Sequence, residues 1–171
     1  VLWKLYLGVT IAEIVLLMVT NEKMPLYDAM VITFSNLSTG GFSVRNASIG
    51  AYNNPATEWV VMIFMIVGSI NFALYFFCLK GKIYRIYEPE FLIYMCTLVL
   101  GASFVIYNLV GTEKQLLIGD TGIFSLSEAV RYGAFHYVSA QTSTGYVTAN
   151  YDIWPYANQV LMLIVMFVGS M

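Results

Sequence analysis

Four apolar runs divide the chain into candidate membrane spans. They cover residues 5–19, 59–79, 91–111 and the stretch from 156 to 171. The second and third runs are each about 21 residues long, enough to cross a hydrocarbon core of about 30 Å at 1.5 Å per residue. The first and last runs are shorter or cut off. This pattern predicts an all-α membrane protein rather than a soluble domain.

Two shorter and more polar segments lie between these runs, at residues 28–37 and 128–140. Each is about 10–13 residues long, which is too short to cross a bilayer and fits a re-entrant helix better. Asp28 and Glu128 stand near the expected N-termini, where an acidic side chain complements the helix dipole. We therefore predict two half-helices that enter the membrane and turn back.

Each half-helix runs directly into a short stretch of Ser, Thr and Gly. We call STGGFS at 38–43 the first strip and TSTGYVT at 142–148 the second strip. When Gly41 is aligned with Gly145, Ser35 falls on Ser139 and Phe42 falls on Tyr146. A repeat period of about a hundred residues indicates duplicated domains rather than a solenoid.

The inner ends of the two repeats also align, with Val67-Gly68-Ser69 on Val168-Gly169-Ser170. The predicted order is therefore span, half-helix, strip and span, followed by the same four elements again. We assign residues 1–80 to the first repeat, 81–90 to a cytoplasmic linker and 91–171 to a second repeat that is truncated in its inner helix.

Composition supports the membrane class. The chain is 59% hydrophobic and 11% charged with a mean hydropathy of +0.73, whereas a soluble domain carries roughly 25% charged residues. A net charge of −2 is too small to suggest nucleic-acid binding, and the spacing of Cys78 and Cys96 is not that of a metal site. Residues 1–20 lack a signal-cleavage pattern and begin without Met. The chain also stops within an apolar run. We therefore expect a longer protein.

Basic residues predict the orientation. The segment after the second span holds a basic cluster and should be cytoplasmic, so both strips should open to the outside. The cluster consists of Lys80, Lys82 and Arg85. The predicted outer loops also carry basic residues: Lys23, Arg45, Lys114 and Arg131.

The strips have the chemistry of a cation pathway. Non-helical backbone at membrane depth is tolerated only where protein buries it or where it lines a water-filled path, and rings of carbonyl oxygens can replace the water shell of a cation. Gly41 and Gly145 permit the backbone angles that turn successive carbonyls the same way. Hard oxygens without a carboxylate suit an alkali ion better than a divalent one. Phe42 and Tyr146 could wedge each strip against its support.

Thr-Ser-Thr-Gly-Tyr resembles the potassium-channel signature Thr-Val-Gly-Tyr-Gly, with one glycine kept. One glycine per strip, in repeated span–pore helix–span units, resembles the Trk/Ktr/HKT superfamily of potassium transporters. The first strip is similar to the second filter of Trk-type subunits. The second strip, followed by Asp152 and the Trp154-Pro155 pair, is similar to the third filter, and Gly68-Ser69-Ile70-Asn71 resembles an inner-helix pattern of repeat two.

The resemblance implies a fold of four potassium-channel-like repeats around a pseudo-fourfold axis, of which this chain supplies two. It implies potassium as the transported ion, with no cofactor in the chain; a sodium or sodium/potassium permease of the same architecture is the alternative. It further implies a homodimer in the cell inner membrane and a cytoplasmic nucleotide-binding regulatory ring. The implied filter residues are Thr39, Gly40, Gly41, Phe42, Ser143, Thr144, Gly145 and Tyr146. An intramembrane gating loop is implied near Gly169-Ser170-Met171.

Other polar residues are open to two interpretations. Glu13 and Asn71 lie within predicted spans, where a polar side chain either faces a pore or hydrogen-bonds to a neighbouring helix. His136 is the only histidine, and without clustered Cys or carboxylate residues it suits a hydrogen-bonding role behind the filter better than a metal ligand.

Two competing classes deserve comparison. An intramembrane serine protease would pair Ser103 with His136, and an aspartyl protease would use Asp120. Ser103 and His136 are expected at different depths in the membrane, and Asp120 lacks a second carboxylate at a matching depth. We therefore predict that the chain is not an enzyme. A purely structural membrane subunit explains the apolar runs but leaves the repeated strips without a role. Replacing Gly145 by Asp would abolish transport in a pore and leave a scaffold unaffected.

Overall fold

The computed structural model describes residues 2–70, 74–75, 89–118 and 121–169. Among the described residues of the first half are the helices α1 (Leu2–Thr20), α2 (Leu26–Leu37) and α3 (Pro55–Ser69), with a 3-10 turn at Ser48–Tyr52 between the last two. Helix α3 begins where Asn54 accepts hydrogen bonds from the backbone N–H groups of Ala56 and Thr57 and where Pro55 fixes the first helical turn.

The second half repeats this order. It contains α4 (Pro89–Leu109), the strands β1 (Glu113–Gln115) and β2 (Thr121–Ile123), and then α5 and α6 (Tyr156–Val168). We use α5 for a continuous helix that starts at Leu126–Glu128, passes through a π-helical turn at Ala129–Gly133 and continues over Ala134–Gln141. The half-helices expected at 28–37 and 128–140 thus correspond to α2 and α5.

Two of the described helices, α1 and α4, are long and apolar enough to cross a membrane by length and composition. They correspond to the spans expected at 5–19 and 91–111. Helices α3 and α6 are apolar but shorter.

The continuous span expected at 59–79 is wrong, because α3 ends at Ser69 and the backbone of Ile70 is extended. The Ser69 hydroxyl donates to the carbonyl of Ile66 at 2.9 Å, and such side-chain bonds compete with the helical pattern. Asn71 and the basic cluster at residues 80–85 lie outside the described residues.

The two halves pack as helical triplets. Helices α1, α2 and α3 contact one another, α5 contacts α4 and α6, and α3 contacts α5 across the boundary. The buried core that includes Ile32, Val61 and Met65 also takes in Phe135 and Tyr146 from the second half. The halves therefore share a core instead of folding as separate bodies.

A small antiparallel hairpin follows α4. Strand β1 pairs with β2 with Lys114 opposite Gly122, and Leu116 forms an isolated bridge with Ala149 just after the second strip. The sequence pattern did not predict this hairpin, since three-residue strands show no periodicity. The bridge connects the segment after α4 to the end of the second strip.

Candidate functional site

Helices α2 and α5 carry the two strips at their C-terminal ends. Helix α2 ends at Leu37 and α5 at Gln141, so each strip begins directly after its helix. Asp28 lies in the first turn of α2, and Glu128 lies in the first turn of α5, where it forms a capping box with Ser125. Both acidic residues thus stand at the positive end of the helix dipole, as predicted, and the negative ends face the strips.

The turns that lead into the two strips use the same backbone hydrogen bonds at aligned positions. The N–H of Thr39 donates to the carbonyl of Asn36 at 2.9 Å, and the N–H of Ser143 donates to that of Ala140 at 3.1 Å. One residue further, the N–H of Gly40 donates to the carbonyl of Ser35 at 2.7 Å, and the N–H of Thr144 donates to the carbonyl of Ser139 at 3.0 Å. The aligned sequences therefore fold into the same local structure.

Positive φ angles occur at two alternating residues of each strip. They are +52° at Thr39 and +68° at Gly41, and +56° at Ser143 and +85° at Gly145. In an extended strand successive carbonyls point to opposite sides, so a left-handed residue at alternate positions turns them toward the same side. Left-handed Thr and Ser are uncommon, and strain of this kind is concentrated at functional sites.

The two strips lie against each other. A Cβ atom added to Gly41 would collide with the carbonyl group of Thr144 and would lie 3.7 Å from the carbonyl carbon of Gly145. Only glycine permits this approach of the two backbones. Gly41 and Gly145 are thus brought together from distant parts of the sequence.

Side chains behind the strips hold their backbone. The Ser35 hydroxyl accepts from the N–H of Phe42 at 2.5 Å, and the aligned Ser139 hydroxyl donates to the carbonyl of Tyr146 at 2.8 Å. The Tyr146 hydroxyl crosses to the first half, where it donates to the carbonyls of Ile32 at 3.1 Å and Phe42 at 3.3 Å. One strip therefore supports the other.

The predicted filter residues differ in exposure. The exposed ones are Gly40, Phe42, Ser143 and Gly145, the half-buried ones are Thr39 and Gly41, and the buried ones are Thr144 and Tyr146. Tyr146 is wedged as expected, but the Phe42 ring is 75% exposed. The wedge expected for Phe42 stays a prediction, since the described residues leave most of that side chain exposed.

Glu13 and His136 both hydrogen-bond to groups near the strips. Glu13 is fully buried and accepts a bond of 2.6 Å from the Asn36 amide, which also donates to the carbonyl of Val61. His136 lies within hydrogen-bond distance of the carbonyls of Tyr132 and Ala149, at 2.9 and 3.2 Å. Glu13 thus connects α1 to α2, whose Asn36 also reaches α3, and His136 connects α5 to the segment after the second strip.

Two ion pairs at the first turns of α3 and α5 were not predicted. Arg131 makes a bidentate pair with Glu58, with both N–O distances at 2.6 Å, and joins the π-helical turn of α5 to the first turn of α3. Lys114 of the hairpin pairs with Glu128 at 2.7 Å. The hydrogen bond from Lys114, followed by that from the Ser125 backbone, lowers the pKa of Glu128 to about 2. Sequence signals for these pairs are weak, because the partners are far apart in the chain.

The protease alternatives gain no support from the described residues. The Ser103 hydroxyl donates to the carbonyl of Val99 within α4, and the His136 ring is engaged with backbone groups. Asp120 lies outside the described residues. In the described residues, Ser103 and His136 are therefore bonded to backbone groups and not to each other.

Comparison with known proteins gives consistent matches. The family model TrkH, described as a cation transport protein, matches residues 1–171. The Trk system potassium uptake protein TrkH of Salmonella typhimurium is 31% identical over 180 residues, covering 99% of this chain and 33% of that protein. TrkI of Halomonas elongata, also a Trk system potassium uptake protein, is 31% identical over 147 residues, covering 84% of this chain and 27% of that protein.

A solved structure is similar as well. The crystal structure of the potassium transporter TrkH from Vibrio parahaemolyticus superimposes with a TM-score of 0.85 at 28% identity, covering 99% of this chain and 35% of that one. The chain thus spans about a third of the length of the curated relatives it matches.

Proposed function

Because the chain belongs to the TrkH family of cation transport proteins, we propose that it forms part of the pore of a potassium uptake subunit. The transported ion is potassium, as in the Trk system proteins that it resembles. The two strips supply half of a selectivity filter. The chain acts as a transporter segment and not as an enzyme.

The observation that carries this proposal is the alternation of positive φ at residues 39, 41, 143 and 145, together with the close approach of Gly41 to Thr144. Two backbone segments of the same unusual conformation meet at one place. Carbonyl oxygens turned toward a common side offset the loss of water from an alkali ion. The negative ends of the α2 and α5 dipoles favour a cation at the same place.

The wider architecture follows from the family resemblance. Helices α2 and α5 are re-entrant pore helices, and residues 1–80 and 91–171 are two of four repeats around the pore. The protein lies in the inner membrane with its strips facing outward, forms a homodimer and binds a cytoplasmic nucleotide-binding subunit. Potassium is substrate, and the transport path needs no cofactor from this chain.

A sodium or sodium/potassium permease is the second candidate. The family resemblance implies that glycine at the key filter position favours potassium, whereas serine there lets sodium compete. Gly41 and Gly145 both favour potassium, but the remaining repeats contribute to the same ring. Ion preference is therefore a property to be measured on the complete protein.

The test uses the full-length protein in cells that lack their own potassium uptake. Gly41→Ser and Gly145→Ser are each compared with Gly8→Ser, since Gly8 lies in α1 with no atom within 4 Å of an added Cβ. Potassium and sodium uptake are measured side by side. We expect the two strip variants to lose potassium uptake or to admit sodium, and the Gly8 variant to behave like the unmodified protein.

Unchanged uptake and unchanged ion preference in both strip variants would refute the filter assignment. Sodium uptake by the unmodified protein would instead favour the second candidate and leave the pore architecture in place.

A further inference from the structure

A buried carboxyl group reaches the end of α2, where the first strip begins. Glu13 of α1 is fully buried, and its Oε1 accepts a hydrogen bond of 2.6 Å from Nδ2 of Asn36. Asn36 is fully buried as well, and its backbone carbonyl accepts from the N–H of Thr39, the first left-handed residue of the strip. Glu13 is therefore one residue removed from the turn that leads into the first strip.

The orientation of the Asn36 amide follows from its two neighbours. Nδ2 donates to Glu13 and also to the carbonyl of Val61 at 3.1 Å. Because a backbone carbonyl can only accept, the amide nitrogen must lie on that side. Asn36 Oδ1 is then an acceptor that needs a donor. Within the described part of the chain, neither this atom nor Oε2 of Glu13 has a hydrogen-bond partner, although both are buried.

An ionised Glu13 does not fit these surroundings. A buried carboxylate is stable only with a counter-ion or with donors for its lone pairs. Among the described residues Glu13 forms no ion pair, and its one donor is Nδ2 of Asn36. A charged Glu13 would thus leave its own Oε2 and the neighbouring Oδ1 as two acceptors without a proton.

Charged and titratable groups on the packed elements are engaged elsewhere. The arginines that lie close to α2 and α3 pair with other carboxylates, Arg45 with Asp28 and Arg131 with Glu58. Lys4, the other charged residue within α1, is exposed and more than two helical turns away. Tyr146 of the second strip interacts electrostatically with Glu13, but its hydroxyl donates to backbone carbonyls of the first half.

We propose that Glu13 carries a proton on Oε2 and donates it to Oδ1 of Asn36, so that the carboxyl and amide groups form a closed ring of two hydrogen bonds. A protonated carboxyl group and an amide each present one donor and one acceptor in a plane. One proton therefore satisfies both buried acceptors. The ligand of this site is a proton, and Glu13 is a positioning residue for the first strip.

The proton site stands on these contacts alone, whereas its effect on ion preference rests on the proposed function. Asn36 is held by α1 through the ring and by α3 through Val61, and its carbonyl fixes the N–H of Thr39. Loss of the ring frees the amide on one side and loosens the start of the strip.

The first test is infrared spectroscopy of the full-length protein in lipid vesicles at pH 7, where a protonated carboxyl group and a carboxylate absorb at different frequencies. The spectrum of Glu13→Gln is subtracted from that of the unmodified protein, so that the difference reports Glu13. Glu22→Gln is the matched control, because Glu22 follows α1 and is exposed. The Glu13 subtraction is repeated in an Asn36→Leu background.

We expect Glu13 to give the carbonyl band of a protonated carboxyl group and Glu22 to give the bands of a carboxylate. In the Asn36→Leu background the Glu13 band should move to higher frequency, because its carbonyl loses a hydrogen bond. Carboxylate bands from Glu13 would overturn the proposal, and so would a protonated band that Asn36→Leu leaves in place.

Melting temperatures of the full-length variants in detergent decide the case in which one of them folds poorly. Glutamine can form the same ring, since its Oε1 accepts from Asn36 and its Nε2 donates to Oδ1, whereas leucine has no polar atom. We expect Glu13→Gln to melt close to the unmodified protein and Glu13→Leu to melt several degrees lower, because Oδ1 stays buried without a donor. A glutamine variant as unstable as the leucine variant would contradict the ring.

Ion uptake tests the positioning role separately. In cells that lack their own potassium uptake, we expect Glu13→Leu to lower the ratio of potassium to sodium uptake several-fold and Glu13→Gln to restore it. An unchanged ratio in Glu13→Leu would refute the positioning role. Absence of potassium uptake by the unmodified protein would refute the proposed function instead, and the infrared bands would still decide whether Glu13 holds a proton.

Discussion

Gly41 and Gly145 occupy aligned positions with positive φ but have different surroundings. A Cβ atom at Gly41 would collide with the Thr144 carbonyl, whereas a Cβ atom at Gly145 would meet no atom within 4 Å. Alanine at either position carries a backbone penalty of about 1–2 kcal/mol, and at Gly41 it must also displace the second strip. We expect Gly41→Ala to lower the melting temperature and potassium uptake of the full-length protein more than Gly145→Ala.

Gly8→Ala is the control for this comparison, because position 8 is open and helical. It should leave the melting temperature unchanged or slightly raised. Equal losses for the Gly41 and Gly145 variants would show that only the backbone conformation matters and that the contact between the strips does not.

Tyr146 supports the first strip through its hydroxyl group. Tyr146→Phe keeps the packed ring and removes the bonds to the carbonyls of Ile32 and Phe42, so we expect a loss of about 1 kcal/mol in the free energy of unfolding. Tyr107→Phe is the matched control, since Tyr107 is highly exposed on α4. The measurement is thermal unfolding in detergent, and equal stability of the two variants would contradict the supporting role.

At the scale of elements, the ion pair between Glu58 and Arg131 joins α3 of one half to α5 of the other. Glu58 is buried and Arg131 is largely covered, so removing one partner leaves a charge without its counter-ion. We expect Glu58→Gln to lower the free energy of unfolding by about 3 kcal/mol, the lower end of the range for a broken buried pair.

The matched control is Arg45→Gln. Arg45 also pairs with a buried carboxylate, Asp28, but half of its own side chain is exposed, and Tyr52 remains hydrogen-bonded to Asp28. The loss there should be much smaller than in the Glu58 variant, because solvent screens the exposed guanidinium group. A Glu58 variant no less stable than the Arg45 variant would mean that the two halves do not depend on this pair.

The ion pair between Lys114 and Glu128, at the start of α5, predicts that the stability of the folded protein depends on pH. The pKa of Glu128 is lowered from 4.5 to about 2, first by Lys114 and then by the Ser125 backbone. A carboxyl group whose pKa is lower in the folded than in the unfolded protein stabilises the folded state at pH values above its unfolded pKa. That stabilisation is lost as the pH falls from about 4.5 through about 2.

The measurement for this prediction is the melting temperature of the unmodified protein and of Glu128→Gln between pH 7 and pH 2.5. We expect the unmodified protein to be the more stable at pH 7, by a small margin because a third of the Glu128 side chain is exposed. The margin should shrink below pH 4.5. A margin that is constant with pH would contradict the assignment.

The elements differ in how far the sequence could predict them. The apolar runs and the acidic residues Asp28 and Glu128 located α1, α2, α4 and α5, since length and helix-end chemistry are local properties. The end of α3 at Ser69 was missed because the apolar run continues beyond it, and hydropathy does not record which backbone groups are bonded. The π-helical turn at Ala129–Gly133 has no periodic signal that would separate it from an ordinary helix.

At the scale of the whole molecule, the two halves are joined at their strips and through a shared core. The N–H of Gly50 donates to the carbonyl of Val147 at 3.2 Å, and Tyr146 is packed among side chains of the first half. The alignment of Gly41 with Gly145 could be read from the sequence, whereas the different fates of Phe42 and Tyr146 could not. Which ring is covered depends on which unit lies beside it, and that is a property of the assembly.

An ion that binds at the joined strips should stabilise the folded protein. A ligand that binds only the folded state adds about 2.7 kcal/mol when its concentration is a hundred times its Kd, so potassium should raise the melting temperature of the full-length protein relative to a large organic cation at the same ionic strength. Sodium should raise it less if the glycines favour potassium. Gly41→Ala should remove the difference between salts, because it displaces the Thr144 carbonyl, while Gly8→Ala should retain it. An equal effect of potassium and sodium would favour the sodium/potassium permease, and no effect of either ion would mean that the joined strips are not where the cation loses its water.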